Sequence, residues 1–227
     1  MTTDSRKAAS SPSSLRLVLT LAIAGLVSGI AIIGIYESTL PTITANKARE
    51  LREAVFKVLP GVSKMQALVY RNNQLVVVDK PDKDEPVVYG GYDEQNDFIG
   101  YAVPAAGPGF QDTIAILYGY KPAQKIVVGM EVLESRETPG LGDKIYKDAE
   151  FVGAFSALAI EPEIFAVKKG TKSLPNEIDA ITGATISSKA VVRIINEAHA
   201  VWAGQLPEAG SEPPLELAEP ADTGAGQ

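Results

Sequence analysis

The feature that most constrains this chain is an apolar run near its N-terminus, LVLTLAIAGLVSGIAIIGIY, from Leu17 to Tyr36. The run contains no charged residue, and Arg16 stands directly before it. About 20 apolar residues suffice for an α-helix to cross the hydrocarbon core of a bilayer. The sequence therefore predicts a transmembrane helix over residues 17–36, preceded by a short segment, residues 1–16.

The charges that flank this run predict its orientation. Arg6, Lys7 and Arg16 precede it, and Glu37 is the first charge after it. Because positive charges favour the cytoplasmic side, we expect a cytoplasmic N-terminus and an extracytoplasmic remainder. A cleaved signal peptide is the alternative, but its apolar core is shorter, about 7–15 residues, and usually precedes an A-x-A site. No clear site of that kind follows here, which favours an uncleaved anchor.

The residue types that are rare or absent limit the chemistry of the chain. Cysteine is absent and His199 is the single histidine. These counts exclude a disulfide, a thiolate nucleophile, an iron–sulfur cluster or a Cys/His zinc site made by this chain alone. We expect His199 to be a partly exposed residue of an amphipathic helix, and difficult chemistry to come from a cofactor. A net charge of −7 argues against nucleic acid as a partner.

Residues 37–203 carry the pattern of one globular domain. Helices are predicted near its two ends, at 44–61 and 187–202, with a shorter helical piece at 148–158. Between them lie β-rich runs bounded by Gly, Pro, Asn or Asp, at 67–79, 97–105, 112–120, 125–134 and 164–169. The first of these predicts a hairpin around Asn72 and Asn73. Because these predicted strands do not alternate with helices, they indicate an α+β fold with a mostly antiparallel sheet and flanking helices.

The last segment, residues 204–227, differs in composition from the domain. It is rich in Pro, Gly and acidic residues and contains no Lys or Arg. Such a segment buries too little apolar surface to offset the entropy lost on ordering. We therefore expect a disordered acidic tail, whose deletion leaves function intact.

The stretch DAITGATISSKAVV, residues 179–192, is an unusual way to begin a helix. Its hydroxyl-bearing residues exceed the single N-cap that a helix start needs. The first turn of a helix also presents free backbone N–H groups and a partial positive charge, which suit a phosphate. The stretch therefore fits either a well-capped helix or an anion site.

A second stretch, ESRETPGLGDKIY, directly follows a predicted strand. Pro139, Gly140 and Gly142 predict a tight exposed turn, with Leu141 between the two glycines. Such a leucine either packs into the core or covers a flat ligand. Spacing alone leaves both interpretations open.

Together, ETPGLGDKI and DAITGATISS resemble the FMN-binding domain of the G subunit of Rnf-type electron transport complexes, and are similar to the C subunit of sodium-pumping NADH:quinone oxidoreductases. The resemblance covers the anchor and roughly residues 40–203. It implies one FMN per chain, attached by a phosphoester bond to Thr185, the last residue of the pattern Asp-x-x-Ser/Thr-Gly-Ala-Thr. The cofactor-binding residues that follow from the two motifs are Asp179, Thr182, Gly183, Ala184, Ser187 and Ser188, with Glu137, Thr138, Gly140, Leu141 and Gly142 near the isoalloxazine.

The resemblance also implies partners and a location. A threonine hydroxyl is a weak nucleophile without an adjacent base, so a separate flavin transferase is expected to attach the FMN. The chain would serve as a redox component beside membrane proteins that carry iron–sulfur centres and a second flavin. The complex would lie in the bacterial inner membrane and couple ferredoxin and NAD chemistry to movement of ions.

Two alternatives stand beside this interpretation. The chain could be a flavinylated domain of another extracytoplasmic redox system, or an anchored binding module that is not catalytic and whose helix is merely well capped. Flavin that survives denaturation separates the last alternative from the other interpretations.

Overall fold

The computed structural model describes residues 13–82 and 85–216 of the chain. They belong to a first unit that ends at Arg49 and a second unit that begins at Glu50. Residues 1–12 of the predicted cytoplasmic segment and residues 217–227 of the predicted tail lie outside the described residues.

The first unit consists of helix α1, which runs from Ser14 to Val58 and so continues into the second unit. Its apolar residues from Leu17 to Tyr36 are almost all exposed, and its most apolar 18-residue window has a mean hydropathy of 2.5. Within the described residues it is the one helix long and apolar enough to cross a membrane. The separate helices predicted at 17–36 and 44–61 form one continuous element that includes Pro41.

The second unit is built on a seven-stranded antiparallel sheet with the strand order β2-β1-β3-β4-β5-β6-β7. Its strands are β1 (Lys64–Arg71), β2 (Gln74–Val78), β3 (Val87–Tyr92), β4 (Phe98–Pro108), β5 (Thr113–Lys121), β6 (Ile126–Glu134) and β7 (Leu158–Ala159). The predicted hairpin is present, since Arg71 pairs with Gln74 and both Asn72 and Asn73 have positive φ. Asparagine tolerates that conformation, which two-residue hairpin turns require.

Short elements follow the sheet along the chain. Helices α2 (Lys144–Lys147) and α3 (Ala149–Gly153) come first, and a single 3-10 turn, residues 154–157, completes the helical piece predicted at 148–158. Strands β8 (Phe165–Val167) and β9 (Glu177–Asp179) then pair in parallel. Helix α4 (Thr185–Trp202) is the last element. The α+β class and the mostly antiparallel sheet agree with the sequence prediction.

A long helix packs on each face of the sheet, and α2 and α3 add Ile145 and Phe151 to the core on the α4 face. The last turns of α1 bury Val55 and Val58 against one face, where Leu117 is among the buried partners. Helix α4 covers the other face with Val191, Ile194, Ile195 and Trp202, and this is the larger core. These residues form one face of the amphipathic helix predicted at 187–202, and this face packs on the sheet.

His199 lies on this buried side of α4, contrary to the expected partial exposure. Only 7% of its surface is exposed, and its ring meets that of Tyr120 edge-on at 4.9 Å between centroids. Burial lowers the pKa of the imidazole, because the charged form loses its hydration there. The helical period places His199 with Ile195 and Trp202, which explains the burial.

The described part of the acidic segment, residues 204–216, is attached to the sheet rather than free of it. The Tyr92 hydroxyl donates to the Pro213 carbonyl at 2.6 Å. The buried Gln66 amide donates to the Pro214 carbonyl and accepts from the Glu216 amide, each at 2.9 Å. Composition predicts disorder here, but two buried polar side chains of the sheet find their hydrogen-bond partners in this segment.

Candidate functional site

The first turn of α4 lies beside a tight backbone turn. Gly183 has a φ of +83°, a conformation that favours glycine, and Ala184 follows as the residue before the helix. Ala184 has no side chain that can cap the helix, so none caps the first amides here. The helix begins at Thr185, within the stretch Thr185 to Ser188 where the sequence predicts its N-terminus.

The hydroxyl groups of this stretch have different partners. Ser188 is buried and forms hydrogen bonds within its own stretch. Its Oγ donates to the Ala184 carbonyl and accepts from the Ile181 amide. Ser187 is also buried, and its Oγ donates to Oε2 of Glu137. Thr185 and Thr182 are both exposed. Two hydroxyls therefore hold the helix start in place, and two face solvent.

The loop of the other motif lies next to this turn. Its backbone is tight, with the Leu141 amide donating to the Thr138 carbonyl at 3.2 Å. Leu141 is 51% exposed, so it is displayed by the turn and is not part of the core. A Cβ placed on Gly183 would lie 3.9 Å from Leu141 Cδ2, which puts the two motifs in contact range.

An open cleft of about 320 Å³ lies between the two motifs. Three large apolar side chains at its rim are exposed, namely Phe110 at 62%, Leu141 at 51% and Ile186 at 59%. Exposed apolar side chains gathered at one place on a surface indicate a binding site. The residues that line the cleft are Phe110, Thr138, Leu141, Gly142, Gly183, Ala184, Thr185, Ile186 and Ser187.

Glu137 lies behind the cleft and does not line it. The side chain is buried, with the residue only 5% exposed. Its Oε1 accepts from the amides of Phe110 and Gln111, each at 2.9 Å, and its Oε2 accepts from Ser187. Burial raises the pKa of this carboxyl, but hydrogen bonds from Ser187 and from the backbone of residues 110–112 outweigh burial and leave the pKa below its usual range.

Asp179 also acts on the backbone. Its Oδ1 accepts from the amides of Gly170 at 2.9 Å and Lys172 at 3.4 Å, which holds the turn between β8 and β9. A second groove, about 340 Å³, lies beside this turn and shares Gly183 and Thr185 with the cleft. Its basic lining residues are Lys168, Lys169 and Lys189.

The structure brings most of the sequence-predicted residues together. Seven of them line the cleft: Thr138, Leu141, Gly142, Gly183, Ala184, Thr185 and Ser187. Thr182 lines the basic groove, whereas Asp179, Glu137 and Ser188 hold the surrounding backbone or helix start, and Gly140 lies in the turn.

Sequence reasoning missed two residues of the rim, Phe110 and Ile186. The signal for Phe110 was present, because GPGFQD places a large apolar residue on a glycine-rich turn between two strands, as PGLG does for Leu141. Ile186 stands outside the apolar face of α4, which marks it as a residue available for another contact.

Comparison with known proteins agrees with this geometry. The FMN-binding domain family matches residues 109–200, a range that includes the rim residue Phe110, both motifs and almost all of α4. Two solved structures share the fold. NqrC of Shewanella oneidensis has a TM-score of 0.56 at 19% identity, covering 67% of this chain and 91% of its own. The C subunit of the Na(+)-translocating NADH-quinone reductase of Parabacteroides distasonis has a TM-score of 0.50 at 21% identity, covering 63% and 77%. Residues 109–200 therefore match the FMN-binding domain family, and the second unit shares the fold of these two structures.

Sequence relatives identify the family more narrowly. The G subunit of the proton-translocating ferredoxin:NAD(+) oxidoreductase complex of Clostridium ljungdahlii is 31% identical over 78% of this chain and 85% of its own length. The G subunit of an Escherichia coli ion-translocating oxidoreductase complex is 32% identical over 76% and 83%. The corresponding protein of Methanosarcina acetivorans is 29% identical over 81% and 91%. The chain belongs to the family of G subunits of ion-translocating oxidoreductase complexes.

Proposed function

We propose that this chain is the membrane-anchored electron-transfer subunit of an Rnf-type complex and carries FMN as a phosphoester on Thr185. The observation that carries the proposal is the position of Thr185. It is exposed on the first turn of α4, at the meeting point of an apolar cleft and a basic groove. The sequence relatives of the chain are G subunits of complexes named for ferredoxin, NAD and ion translocation.

The surroundings of Thr185 suit a phosphodiester. A helix start supplies free amides and a partial positive charge, which stabilise a nearby anion by about 0.3–1 kcal/mol. The ammonium groups of Lys168, Lys169 and Lys189 add positive charge in the adjoining groove. Lys169 is paired with Glu150 at 3.0 Å, so it contributes less of its charge than an unpaired lysine would.

The cleft suits the flat ring system of the flavin. Phe110, Leu141 and Ile186 offer apolar surface on different segments, and Thr138 adds a hydroxyl. Bound flavin supplies one- and two-electron redox chemistry, and the chain orients it and sets its electrostatic surroundings. Leu141 and Thr138 would contact the ring, as the motif resemblance implies.

Attachment would need a separate flavin transferase. A threonine hydroxyl needs a base to become a good nucleophile. Two carboxylates of the motifs already bind other groups than the Thr185 hydroxyl. Asp179 accepts from backbone amides, and Glu137 accepts from Ser187. The Thr185 hydroxyl itself has only a long contact of 3.5 Å to the Ile181 carbonyl.

The remaining parts of the proposal concern location and partners. Residues 17–36 would span the bacterial inner membrane with residues 1–16 in the cytoplasm, and the FMN-binding domain, within residues 37–203, would be periplasmic. The partners would be membrane proteins of the complex that carry iron–sulfur centres and a second flavin. Because the chain has no cysteine, a Ser173→Cys variant would test the topology. A membrane-impermeant thiol reagent should label it from outside, and labelling only after the membrane is opened would contradict the orientation.

The decisive experiment compares the two exposed threonines of the motif. The full chain is co-expressed with a flavin transferase, denatured, and examined for in-gel flavin fluorescence and intact mass. We expect wild type and Thr182→Ala to carry one FMN and Thr185→Ala to carry none. Retention of flavin by Thr185→Ala would place the attachment elsewhere. No flavin on wild type, while the transferase labels a known substrate in parallel, would leave α4 as a helix without a cofactor.

A further inference from the structure

The three rim residues of the cleft come from three separate segments. Phe110 lies in the turn between β4 and β5, Leu141 lies in the loop after β6, and Ile186 lies on α4. Nothing in the chain order fixes the distances between these segments. Some contact must therefore hold them together, since an apolar cleft suits one ligand only at a fixed width.

The Glu137 carboxylate joins all three segments, whereas the Arg136–Asp112 ion pair and the bond from Arg193 to the Pro108 carbonyl each join two. Glu137 belongs to the loop that carries Leu141, accepts from the amides of Phe110 and Gln111, and accepts from Ser187 of α4. The Thr138 hydroxyl adds a bond at 2.9 Å to Oε1 of Gln111 between two of the segments. Each segment bonded to Glu137 thus carries one rim residue. We refer to this arrangement of Glu137, Phe110, Gln111 and Ser187 as the carboxylate clamp.

Two glycines make room for the clamp. A Cβ on Gly109 would lie 2.5 Å from Oε1 of Glu137, and a Cβ on Gly142 would lie 2.5 Å from its Oε2. Neither distance is possible for a real Cβ, so both positions need glycine for the carboxylate to fit. The clamp therefore depends on residues before β5 and after β6 as well as on Glu137 itself.

Helix geometry separates the clamp from the proposed attachment point. Ser187 lies two residues after Thr185, which is about 200° around the helix at 3.6 residues per turn. Ser187 points inward to Glu137, while Thr185 is exposed. A change at Glu137 can therefore alter the cleft without touching the Thr185 hydroxyl.

We propose that Glu137 is a positioning residue that fixes the width of the cleft, and so the surroundings of the flavin, without contacting the flavin. This inference rests on the proposed attachment of FMN to Thr185, and it assigns Glu137 a role other than direct binding. A bent or widened cleft would leave the flavin attached but poorly held.

The test uses the full-length, flavinylated protein in detergent, with attachment, flavin fluorescence and visible-region circular dichroism as readouts. We expect Glu137→Ala to keep covalent FMN but to lose about half or more of the flavin ellipticity, with brighter fluorescence, because the walls of the site lose their common support. Glu137→Gln should keep the flavin ellipticity and fluorescence of the wild type. Its amide oxygen can accept from both backbone amides, and its N–H can donate to Ser187.

Glu177 provides a matched control. Its Oε2 also accepts from two backbone amides and a serine hydroxyl, those of Ser173 and Leu174, but in an exposed turn away from the cleft lining. Glu177→Ala should therefore leave the flavin signals unchanged. If the loss of such hydrogen bonds disturbed the domain in general, Glu177→Ala would change the flavin signals as much as Glu137→Ala. An equal change in the two variants would therefore overturn the proposal.

The outcomes separate this inference from the function on which it rests. Wild type without flavin would contradict the attachment at Thr185. Flavinylated Glu137→Ala with wild-type ellipticity, or Glu137→Gln as disturbed as Glu137→Ala, would overturn the clamp alone. If Glu137→Ala does not fold, Ser187→Ala decides, since of the hydrogen bonds in the clamp it removes only the one to α4. It should change the ellipticity in the same direction and by less, and an unchanged signal would overturn the proposal.

Discussion

Helix α4 presents two exposed side chains to the cleft at its first turn and buries two large side chains against the sheet at its last turn. At the first turn, Thr185 and Ile186 face outward beside an open cleft, and no side chain caps the helix. At the last turn, His199 and Trp202 are buried against the sheet. One helix thus anchors itself at its C-terminal end and offers its N-terminal end for binding. Substitutions at the two ends should therefore separate stability from cofactor attachment.

The largest effect on stability is expected at the buried end. Trp202→Ala should lower the free energy of unfolding by about 3–5 kcal/mol, because it leaves a large cavity in the core. Thr185→Ala should change it by less than about 0.5 kcal/mol before flavin is attached, because the residue is exposed. Urea unfolding of the two unflavinylated variants measures both values. Equal losses would mean that the first turn also contributes to the core.

The segment that follows α4, residues 205–216, is also expected to contribute to stability. A chain that stops at residue 204 should have a free energy of unfolding about 2 kcal/mol lower than one that stops at residue 216, because Tyr92 and Gln66 lose their hydrogen bonds to residues 213–216 and keep the one between them. Thermal unfolding of the two truncated chains measures the difference. Flavin attachment should be the same in both, since the segment lies outside the cleft lining. Equal stability would show that residues 205–216 add nothing to the fold.

Leu141 lies in the loop beside the first turn of α4. Leu141→Ala should weaken ligand binding and leave the stability of the fold unchanged. In a Thr185→Ala background, which removes the proposed attachment point, we expect the affinity for added FMN to fall about fivefold, or about 1 kcal/mol, from lost apolar contact. The melting temperature should hardly change, because Leu141 is half exposed. Fluorescence titration with FMN gives the dissociation constants. An unchanged constant would place the ring away from Leu141.

The smallest effect is a pH dependence from His199. Its folded-state pKa lies below 6.5 because of burial, so the unfolded chain binds its proton more readily. Stability is therefore fully present above pH 6.5 and falls as the pH drops below that value. His199→Gln should remove this part of the pH dependence. Unfolding measured about one pH unit above and one below the usual histidine pKa tests it, and an identical decrease in the variant would assign the effect to other groups.

Much of this fold was predictable from short-range sequence patterns. The hairpin at Asn72 and the strands β4, β5 and β6 are bounded by residues that form turns, and each has a strong β composition. Strand β3 was missed because VVYGGY contains two glycines, which weaken a strand pattern. A Cβ on Gly91 would lie 2.7 Å from Val62 and 2.8 Å from Leu59, so the need for glycine here is evident only from the tertiary structure.

The candidate site was predictable where a motif carries it. The prediction that DAITGATISS and ETPGLG lie together agrees with the cleft, and Thr185 and Leu141 are exposed there. The carboxylate clamp was not predictable, because the burial of Glu137 depends on Gly109 and Ser187, far apart in sequence. The attachment of residues 213–216 depends in the same way on buried polar groups elsewhere in the sheet.

The missing side-chain cap at Ala184 has a thermodynamic consequence. A helix whose first amides lack a capping side chain gives up about 1 kcal/mol relative to one capped by Ser, Thr, Asp or Asn. A phosphodiester on Thr185 would supply oxygen acceptors at that place. The cofactor would then complete the secondary structure as well as carry electrons. The mature, flavin-bearing chain should accordingly melt a few degrees higher than the unmodified one.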